Sequence, residues 1–159
     1  MTSAAKDTKQ KHDVSLRCLL IPVVDSEILL PNTVVAEITV IGDTNKIGNL
    51  PEWIIDYFTW RGIDIPLISF NKLLDRDVDS GNRVAVINTL DKEAKYKFIG
   101  VSISGIPRTI NINPEMVEYS SGNVESNDSP VLATLILEDK EVIVPDLEYL
   151  HKRLEQLVN

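Results

Sequence analysis

The feature that most constrains the fold of this chain is the shortness of its apolar runs. From Val14 onward the runs are rich in Val, Ile and Leu, and each soon ends at a cluster of Asp, Ser, Asn, Gly or Pro residues. Short runs of β-branched residues between turn residues are typical of strands, whereas amphipathic helices need longer segments. The sequence therefore predicts an all-β domain with only short helices.

The segments that fit the strand pattern are spread over the whole chain. They are Leu16–Val24, Ile28–Leu30, Thr33–Ile41, Ile63–Phe70, Arg83–Leu90, Lys95–Ile103, Ile106–Ile112, Val131–Leu137 and Glu141–Val144. Within Thr33–Ile41, Val34, Ala36, Ile38 and Val40 recur at period two. We therefore expect these four side chains to share one face of a sheet.

Two segments carry helix signals instead. Asn49, followed by Pro51 and Glu52, has the form of a helix start, which predicts a short helix over residues 51–58. The last part of the chain has leucines at helical spacing behind an acidic first turn, which predicts a closing helix from about Asp146. Those leucines are Leu147, Leu150, Leu154 and Leu157.

Polar stretches divide the chain. Residues 1–13 are polar and mixed in charge, so we predict a disordered tail there. The acidic stretch at 75–82 is the best internal boundary, and residues 118–130 are predicted to form the longest loop. Residues 19–31 and 132–145 share a plan of apolar run, acidic turn, apolar run and proline, as two similar small barrels would produce.

Charge and cysteine content limit the partners and the compartment. The formal net charge is −8, the sequence pI is about 4.7, and the basic residues are scattered. Such a surface repels phosphate backbones and anionic lipids, which argues against nucleic acid and membrane insertion. The single cysteine, Cys18, cannot form a disulfide within the chain, and no signal peptide or membrane-spanning stretch is evident. We expect a cytoplasmic protein.

The sequence offers little for catalysis. Its acidic turns recur between strand-like runs, which favours solvated hairpin turns over a carboxylate site. Residues 100–105 depart from the Gly-x-Ser-x-Gly pattern, because residue 104 is serine. Cys18 lies in an apolar run and is expected in the core, and the only histidines are His12 and His151. We predict no enzymatic activity, no cofactor and no metal site.

Trp60, Arg61 and Gly62 form the one motif that points to binding. Tryptophan and arginine are the residues most enriched at binding hot spots, and the glycine would turn the chain at the exposed end of an element. The alternative is that Trp60 belongs to the core and Arg61 pairs with an acidic residue on the surface. The residues alone leave both interpretations open.

Taken in order, these segments resemble the CheW-like family of chemotaxis coupling proteins. The family has a strand, an acidic turn, a second strand, a V-x-E-[VI] segment, a proline-led helix and an N-L-R-G-x-x-[IV]-P-[VI]-x-D-L signature. The similar segments here are Leu19–Val24, Asp25–Glu27, Val35–Ile38, Pro51–Phe58 and Thr59–Phe70. The second half is similar more loosely, through Phe98–Gly100, Gly105–Ile106 and Val142–Leu150.

The resemblance implies a single CheW-like domain over residues 14–159, built from two pseudo-symmetric five-stranded SH3-like barrels and a C-terminal helix. The first barrel would take about residues 14–75 plus the C-terminal segment, and the second about residues 83–144. The implied function is a non-enzymatic adaptor, or scaffold, in bacterial chemosensory signal transduction. It would couple chemoreceptors to a CheA-type histidine kinase, in chemotaxis or in the control of type IV pili and twitching motility.

The resemblance also implies partners. The first barrel would bind the regulatory domain of the CheA-type kinase, and the groove between the barrels would bind the cytoplasmic tip of a methyl-accepting chemoreceptor. Other CheW-like proteins are further candidates, and receptor arrays would bring the cytoplasmic protein to the membrane. The implied partner-binding residues are Val35, Glu37, Ile38, Trp60, Arg61, Gly62, Phe98 and Ile99.

Several positions depart from the family pattern near this implied surface. Thr59 and Trp60 replace the Asn-Leu pair, Asp56 replaces a glycine, and Ser69 replaces an acidic residue. These changes favour an accessory member of a chemosensory system that controls type IV pili. Two alternatives stay open: a small β-barrel protein that binds nucleic acid or the ribosome, and a structural domain with no signalling role.

Overall fold

The structure is a computed structural model that describes residues 14–45, 48–77, 81–120 and 128–157. The predicted disordered tail at 1–13 and most of the predicted loop at 118–130 lie outside these ranges. The strands are β1 Leu16–Val23, β2 Ser26–Pro31, β3 Val35–Val40, β4 Thr44–Asn45, β5 Ile54–Trp60, β6 Ile63–Ile68, β7 Arg83–Asn88, β8 Phe98–Ile103, β9 Arg108–Ile112, β10 Glu118–Tyr119, β11 Val131–Leu137 and β12 Lys140–Pro145.

Two helices join these strands, α1 Phe70–Leu73 and α2 Leu147–Gln156, together with 3₁₀ turns at Asn32–Val34 and Pro114–Met116. Helix α2 begins directly after Asp146, close to the predicted start, and the Asp146 carboxylate caps it by accepting a hydrogen bond from the Tyr149 N–H at 3.1 Å. The prediction of an all-β domain with short helices and a closing helix is confirmed.

The strands form two six-stranded sheets. Sheet A has the order β10-β11-β12-β2-β1-β9, and sheet B has the order β3-β7-β8-β6-β5-β4. Each sheet contains one parallel pair, β12 with β2 and β6 with β8. In each sheet one edge strand has only two residues, β10 in sheet A and β4 in sheet B, so that five longer strands remain.

The two sheets follow the same plan at different places in the chain. Along the chain, sheet B is formed by β3, the short β4 and the hairpin β5–β6, and then, after helix α1, by the hairpin β7–β8. Sheet A repeats this order with β9, the short β10, the hairpin β11–β12 and α2, but its closing hairpin is β1–β2. The equivalent hairpins β5–β6 and β11–β12 even carry a register shift near the same end. Sheet A is therefore completed by the hairpin that comes first in the chain.

This arrangement differs from the predicted division of the chain at residues 75–83. Strands β3 to β6, which were expected in the first barrel, lie in the same sheet as β7 and β8. The two similar segments, 19–31 and 132–145, are the hairpins β1–β2 and β11–β12, and they are neighbours in sheet A. The repeated sequence pattern correctly indicates that the two hairpins are alike. It does not determine which strands pair with each other in a sheet.

The predicted helix over residues 51–58 is wrong, because this region contains β5. The helix-start signature produces only a turn, closed by a 3.0 Å hydrogen bond from the Ile54 N–H to the Pro51 carbonyl. From Ile54 to Trp60 the side chains alternate between fully buried and less buried, as in a strand. The aromatic and β-branched residues of this segment fit a half-buried sheet better than a helix.

The expected period-two face of Thr33–Ile41 is also wrong. Val34 lies in a 3₁₀ turn, and a register shift between Val35 and Glu37 places Ala36 out of phase. Ala36 and Val40 are exposed, whereas Val34 and Ile38 pack against the core. The register shift, a β-bulge, therefore determines which side chains of β3 point toward the core and which point toward solvent.

Three apolar clusters hold the fold together. One lies between the two sheets and combines residues of β1, β2, β7 and β8 with Leu150 and Leu154 of α2. The second lies in sheet A around Cys18, and the third lies in sheet B around Phe58 and Trp60. Each sheet thus encloses its own core and shares a second core with its neighbour.

Gly100 on β8 allows a close approach inside sheet B. A Cβ atom there would lie 2.6 Å from Phe58 Cε1 and 2.9 Å from Val84 Cγ2. We expect Gly100→Ala to lower the free energy of unfolding by about 1–3 kcal/mol, the usual cost of overpacking a core. Urea denaturation measures this change. Gly42→Ala is the matched control, because a Cβ atom at Gly42 has no neighbour within 4 Å; equal stability of the two variants would contradict the prediction.

Candidate functional site

Curling of sheet B brings Glu37 and Trp60 together. Glu37 is on the edge strand β3, and three strands, β7, β8 and β6, separate it from β5 in the order of the sheet. Nevertheless, the Trp60 indole Nε1–H donates a hydrogen bond to Glu37 Oε2 at 2.6 Å. Contact between strands so far apart requires the sheet to close on itself. The site therefore depends on that closure.

Arg61 completes the site from the turn between β5 and β6. Its Nη2 group donates to Glu37 Oε1 at 3.2 Å, and its guanidinium carbon lies 4.9 Å from the centre of the Trp60 ring. The Trp60 ring in turn packs against Phe98, with ring centroids 4.7 Å apart and planes inclined by 55°. These four residues, Glu37, Trp60, Arg61 and Phe98, are named the Arg61 cluster below.

The conformation of the turn explains how Arg61 reaches this position. Trp60 pairs with Ile63, so the turn contains only Arg61 and Gly62. Both residues have positive φ, 50° at Arg61 and 77° at Gly62. Two-residue hairpin turns of this kind match the twist of the strands, and glycine adopts such angles without strain. The turn holds the arginine at the end of sheet B with its side chain 65% exposed.

The electrostatics of the cluster centre on Glu37. The hydrogen bonds from Trp60 and then Arg61 are the main causes that hold the pKa of the Glu37 carboxyl below its usual value; burial opposes them, and the charge of Arg61 adds a smaller lowering effect. Both carboxylate oxygens are engaged, one by each neighbour. Glu37 is therefore an anchor inside the cluster, and Arg61 is its exposed charged member.

The predicted binding residues divide into two groups. Glu37, Trp60, Arg61 and Phe98 come together, and Gly62 lies in the adjoining turn. Val35, Ile38 and Ile99 instead pack into the core between the sheets, and Ile99 is only 1% exposed. Trp60 is buried and Arg61 pairs with the acid Glu37, yet the Arg61 side chain stays 65% exposed and accessible to a partner.

The structure contains a second surface that the sequence patterns do not reveal. A groove of about 560 Å³ lies between the β7–β8 end of sheet B and helix α2, and it is called the α2 groove below. Apolar lining comes from Ile87, Ile99, Leu147 and Leu90, and the last of these is 76% exposed. The sequence did not mark Leu90 as exposed, because it lies at the end of the predicted strand Arg83–Leu90 and an apolar residue is ordinary in a strand.

The residues considered for catalysis do not form a catalytic set. His151 Nε2 lies 3.3 Å from Asp91 Oδ2 and 3.7 Å from Glu155 Oε1, at the rim of the α2 groove. Cys18 is buried in the core of sheet A, and burial raises the pKa of its thiol. Within the described ranges, no group of three or more His, Cys, Asp or Glu side chains could hold a metal ion.

The acidic turns are tight hairpin ends, as predicted. Asp25, Glu138 and Asp139 all have positive φ in the turns that follow β1 and β11. Arg108 on β9 links the two turns, with Nη2 at 2.9 Å from Glu138 Oε1 and Nε at 4.0 Å from Glu27 Oε2. None of the helices in the described part of the chain is long and apolar enough to cross a membrane.

Comparison with known proteins places this geometry in context. A family model described as the CheW-like domain matches residues 17–155. A search of curated proteins finds no match. Among solved structures, the crystal structure of the scaffolding protein TtCheW from Thermoanaerobacter tengcongensis superposes with a TM-score of 0.68 at 18% identity, over 84% of this chain and 90% of that one. The predicted fold of two SH3-like barrels, here sheet A and sheet B, is confirmed.

Because the pKa of Glu37 is lowered in the folded protein, its contribution to stability should depend on pH. A carboxyl whose pKa is lower in the folded than in the unfolded state stabilises the fold above the unfolded pKa, and this contribution is lost as the pH falls through the folded pKa. We expect Glu37→Gln to be less stable than the unmodified protein at pH 7, with the difference shrinking in acid. Urea midpoints measured from pH 7 to pH 3 test this, with the exposed Glu118→Gln as control. A constant difference at all pH values would contradict it.

Proposed function

Because the chain belongs to the CheW-like domain family, we propose that it acts as an adaptor that couples chemoreceptors to a CheA-type histidine kinase. CheW-like proteins are scaffolds and not enzymes, and the chain matches over nearly its whole described length. The single observation that carries the proposal is the Arg61 cluster, which combines a tight turn, a buried Trp60 ring, a partly buried Phe98 ring and an exposed guanidinium at one end of sheet B.

The Arg61 cluster is the proposed contact with the regulatory domain of the kinase. Trp60 is buried and packs against the partly buried Phe98, so little freedom of these two side chains is lost when a partner binds. The exposed arginine of the cluster is the kind of residue that dominates binding energy at interfaces. Ile63, which follows the turn, is 49% exposed and supplies apolar surface beside the charge.

The α2 groove is the proposed contact with the cytoplasmic tip of a receptor. An amphipathic helix of a partner binds well in a groove with an apolar floor and a polar rim, which is the surface that the α2 groove offers. Leu90 and Leu147 line the groove, and Asp91, Glu148 and Lys152 lie at its edges. The groove is formed by α2 and sheet B, whereas the Arg61 cluster lies within sheet B, so the two partners would use different residues.

The proposed mechanism is assembly alone. Each surface needs only modest affinity, because several weak contacts in one array raise the effective concentration of every partner. We further propose that the array controls type IV pili, since Trp60 departs from the leucine of the family signature beside the proposed kinase contact. The protein would reach the membrane through the receptors that it binds.

Reversing the charge at Arg61 tests the kinase contact. We expect Arg61→Glu to weaken binding of the CheA-type regulatory domain by about tenfold or more, because an exposed hot-spot charge is inverted. Isothermal titration calorimetry with the purified domains measures the affinity. Arg83→Glu is the control, because Arg83 is an exposed arginine of the same sheet outside the cluster. Full binding by Arg61→Glu, with unchanged circular dichroism, would refute the site.

A polar change in the α2 groove tests the receptor contact separately. We expect Leu90→Asp to abolish co-sedimentation with receptor-containing membranes while leaving affinity for the kinase domain within about twofold of the unmodified protein. The side chain is 76% exposed, so the fold should tolerate the change. Leu132→Asp is the matched control, because Leu132 is 53% exposed on β11, outside the groove. Loss of both partners together would argue against two separate surfaces.

A further inference from the structure

Trp60 changes the way in which Glu37 and Arg61 can pair. An arginine and a carboxylate normally pair through two parallel hydrogen bonds, one to each oxygen. Here Glu37 Oε2 accepts the Trp60 indole N–H at 2.6 Å, while Arg61 makes a single, longer bond of 3.2 Å to Oε1. The two-bond pair is therefore not formed, and Trp60 is bonded to the oxygen that a second Arg61 bond would use.

This arrangement leaves most of the Arg61 guanidinium free. Among the described residues its polar contact is the single bond from Nη2 to Glu37, and its face rests on the Trp60 ring at 4.9 Å. The nearest other acid in sequence, Asp64, already accepts a hydrogen bond from the Thr59 hydroxyl at 2.6 Å. The side chain is 65% exposed, so its remaining N–H groups face solvent.

We propose that Trp60 is the specificity-determining residue of this site, because it keeps the Arg61 guanidinium open for a carboxylate of the partner. The exposed guanidinium offers hydrogen-bond donors and a positive charge, and each oxygen of Glu37 already accepts a bond inside the cluster. A partner that presents Asp or Glu fits this surface, and one that presents Lys or Arg is repelled. This inference rests on the proposed function for the identity of the partner, but its structural part concerns the free protein.

Trp60→Phe separates the indole N–H from the aromatic ring. Phenylalanine keeps a ring for packing against Phe98 and beneath Arg61, but it cannot donate to Glu37. We expect the freed Oε2 to accept a second bond from Arg61, which closes the two-bond pair. In NMR spectra of the free protein, the Arg61 Nε–Hε signal should shift and its exchange with water should slow. An unchanged signal in a folded Trp60→Phe variant would overturn the proposal.

The effect on the partner follows from the same change. We expect Trp60→Phe to lower the affinity for the kinase regulatory domain about tenfold. This is the loss expected when a complex loses one charge-assisted hydrogen bond. In a Glu37→Ala background, where no carboxylate can compete for Arg61, the same substitution should have no effect. An equal loss in both backgrounds would show that Trp60 acts through packing alone and would overturn the proposal.

A charge exchange identifies the chemistry of the partner. Arg61→Glu should be rescued by changing one Asp or Glu of the kinase domain to Lys, and rescue by removal of a partner Lys or Arg instead would contradict the inference. If the unmodified protein binds no kinase domain, the proposed function fails, whereas the NMR measurement on the free protein still decides whether Trp60 holds Arg61 open.

Discussion

Burial of the two sheets against each other is the constraint on which the rest of the structure depends. The central strands are buried on both faces, one toward the core of their own sheet and one toward the neighbouring sheet, so β7 and β8 are almost continuously apolar. Helix α2 seals the same central core through Leu150 and Leu154. The α2 groove and the Arg61 cluster are both formed by elements that this core holds in place.

The same constraint explains what could be predicted from sequence. Strands such as β11 and the capped helix α2 were found because their signals are local. The strand β5 was mistaken for a helix because a proline and a cap residue stand before it, while the pairing partners that make it a strand, β4 and β6, lie elsewhere in the chain. Trp60 and Arg61 were identified as a candidate binding motif from their residue types, and Glu37 was identified through the family resemblance. Their hydrogen bonds could not be foreseen, because they depend on closure of sheet B.

The shared plan of the two sheets extends to their ion pairs. In sheet B, Glu37 on the first strand bonds Arg61 in the hairpin turn, and in sheet A, Arg108 on the equivalent strand bonds Glu138 in the equivalent turn. Arg61 and Glu138 have nearly the same φ, 50° and 51°. The geometry is retained while the signs of the charges are exchanged. The two ends of the molecule therefore present opposite charge arrangements on one backbone framework.

The position of the hairpin β1–β2 has a consequence for the order of events during synthesis. All six strands of sheet B lie within residues 35–103, so this barrel can close while the later part of the chain is still being made. The first hairpin leaves the ribosome before any other strand, yet its parallel neighbour β12 follows more than a hundred residues later. Contacts of such long range form slowly. One face of β1–β2 can pack on β7 and β8 at once, but the face with Cys18, Leu20 and Leu29 must wait for β11 and β12. That face is therefore an apolar surface of the nascent chain that is open to chaperones.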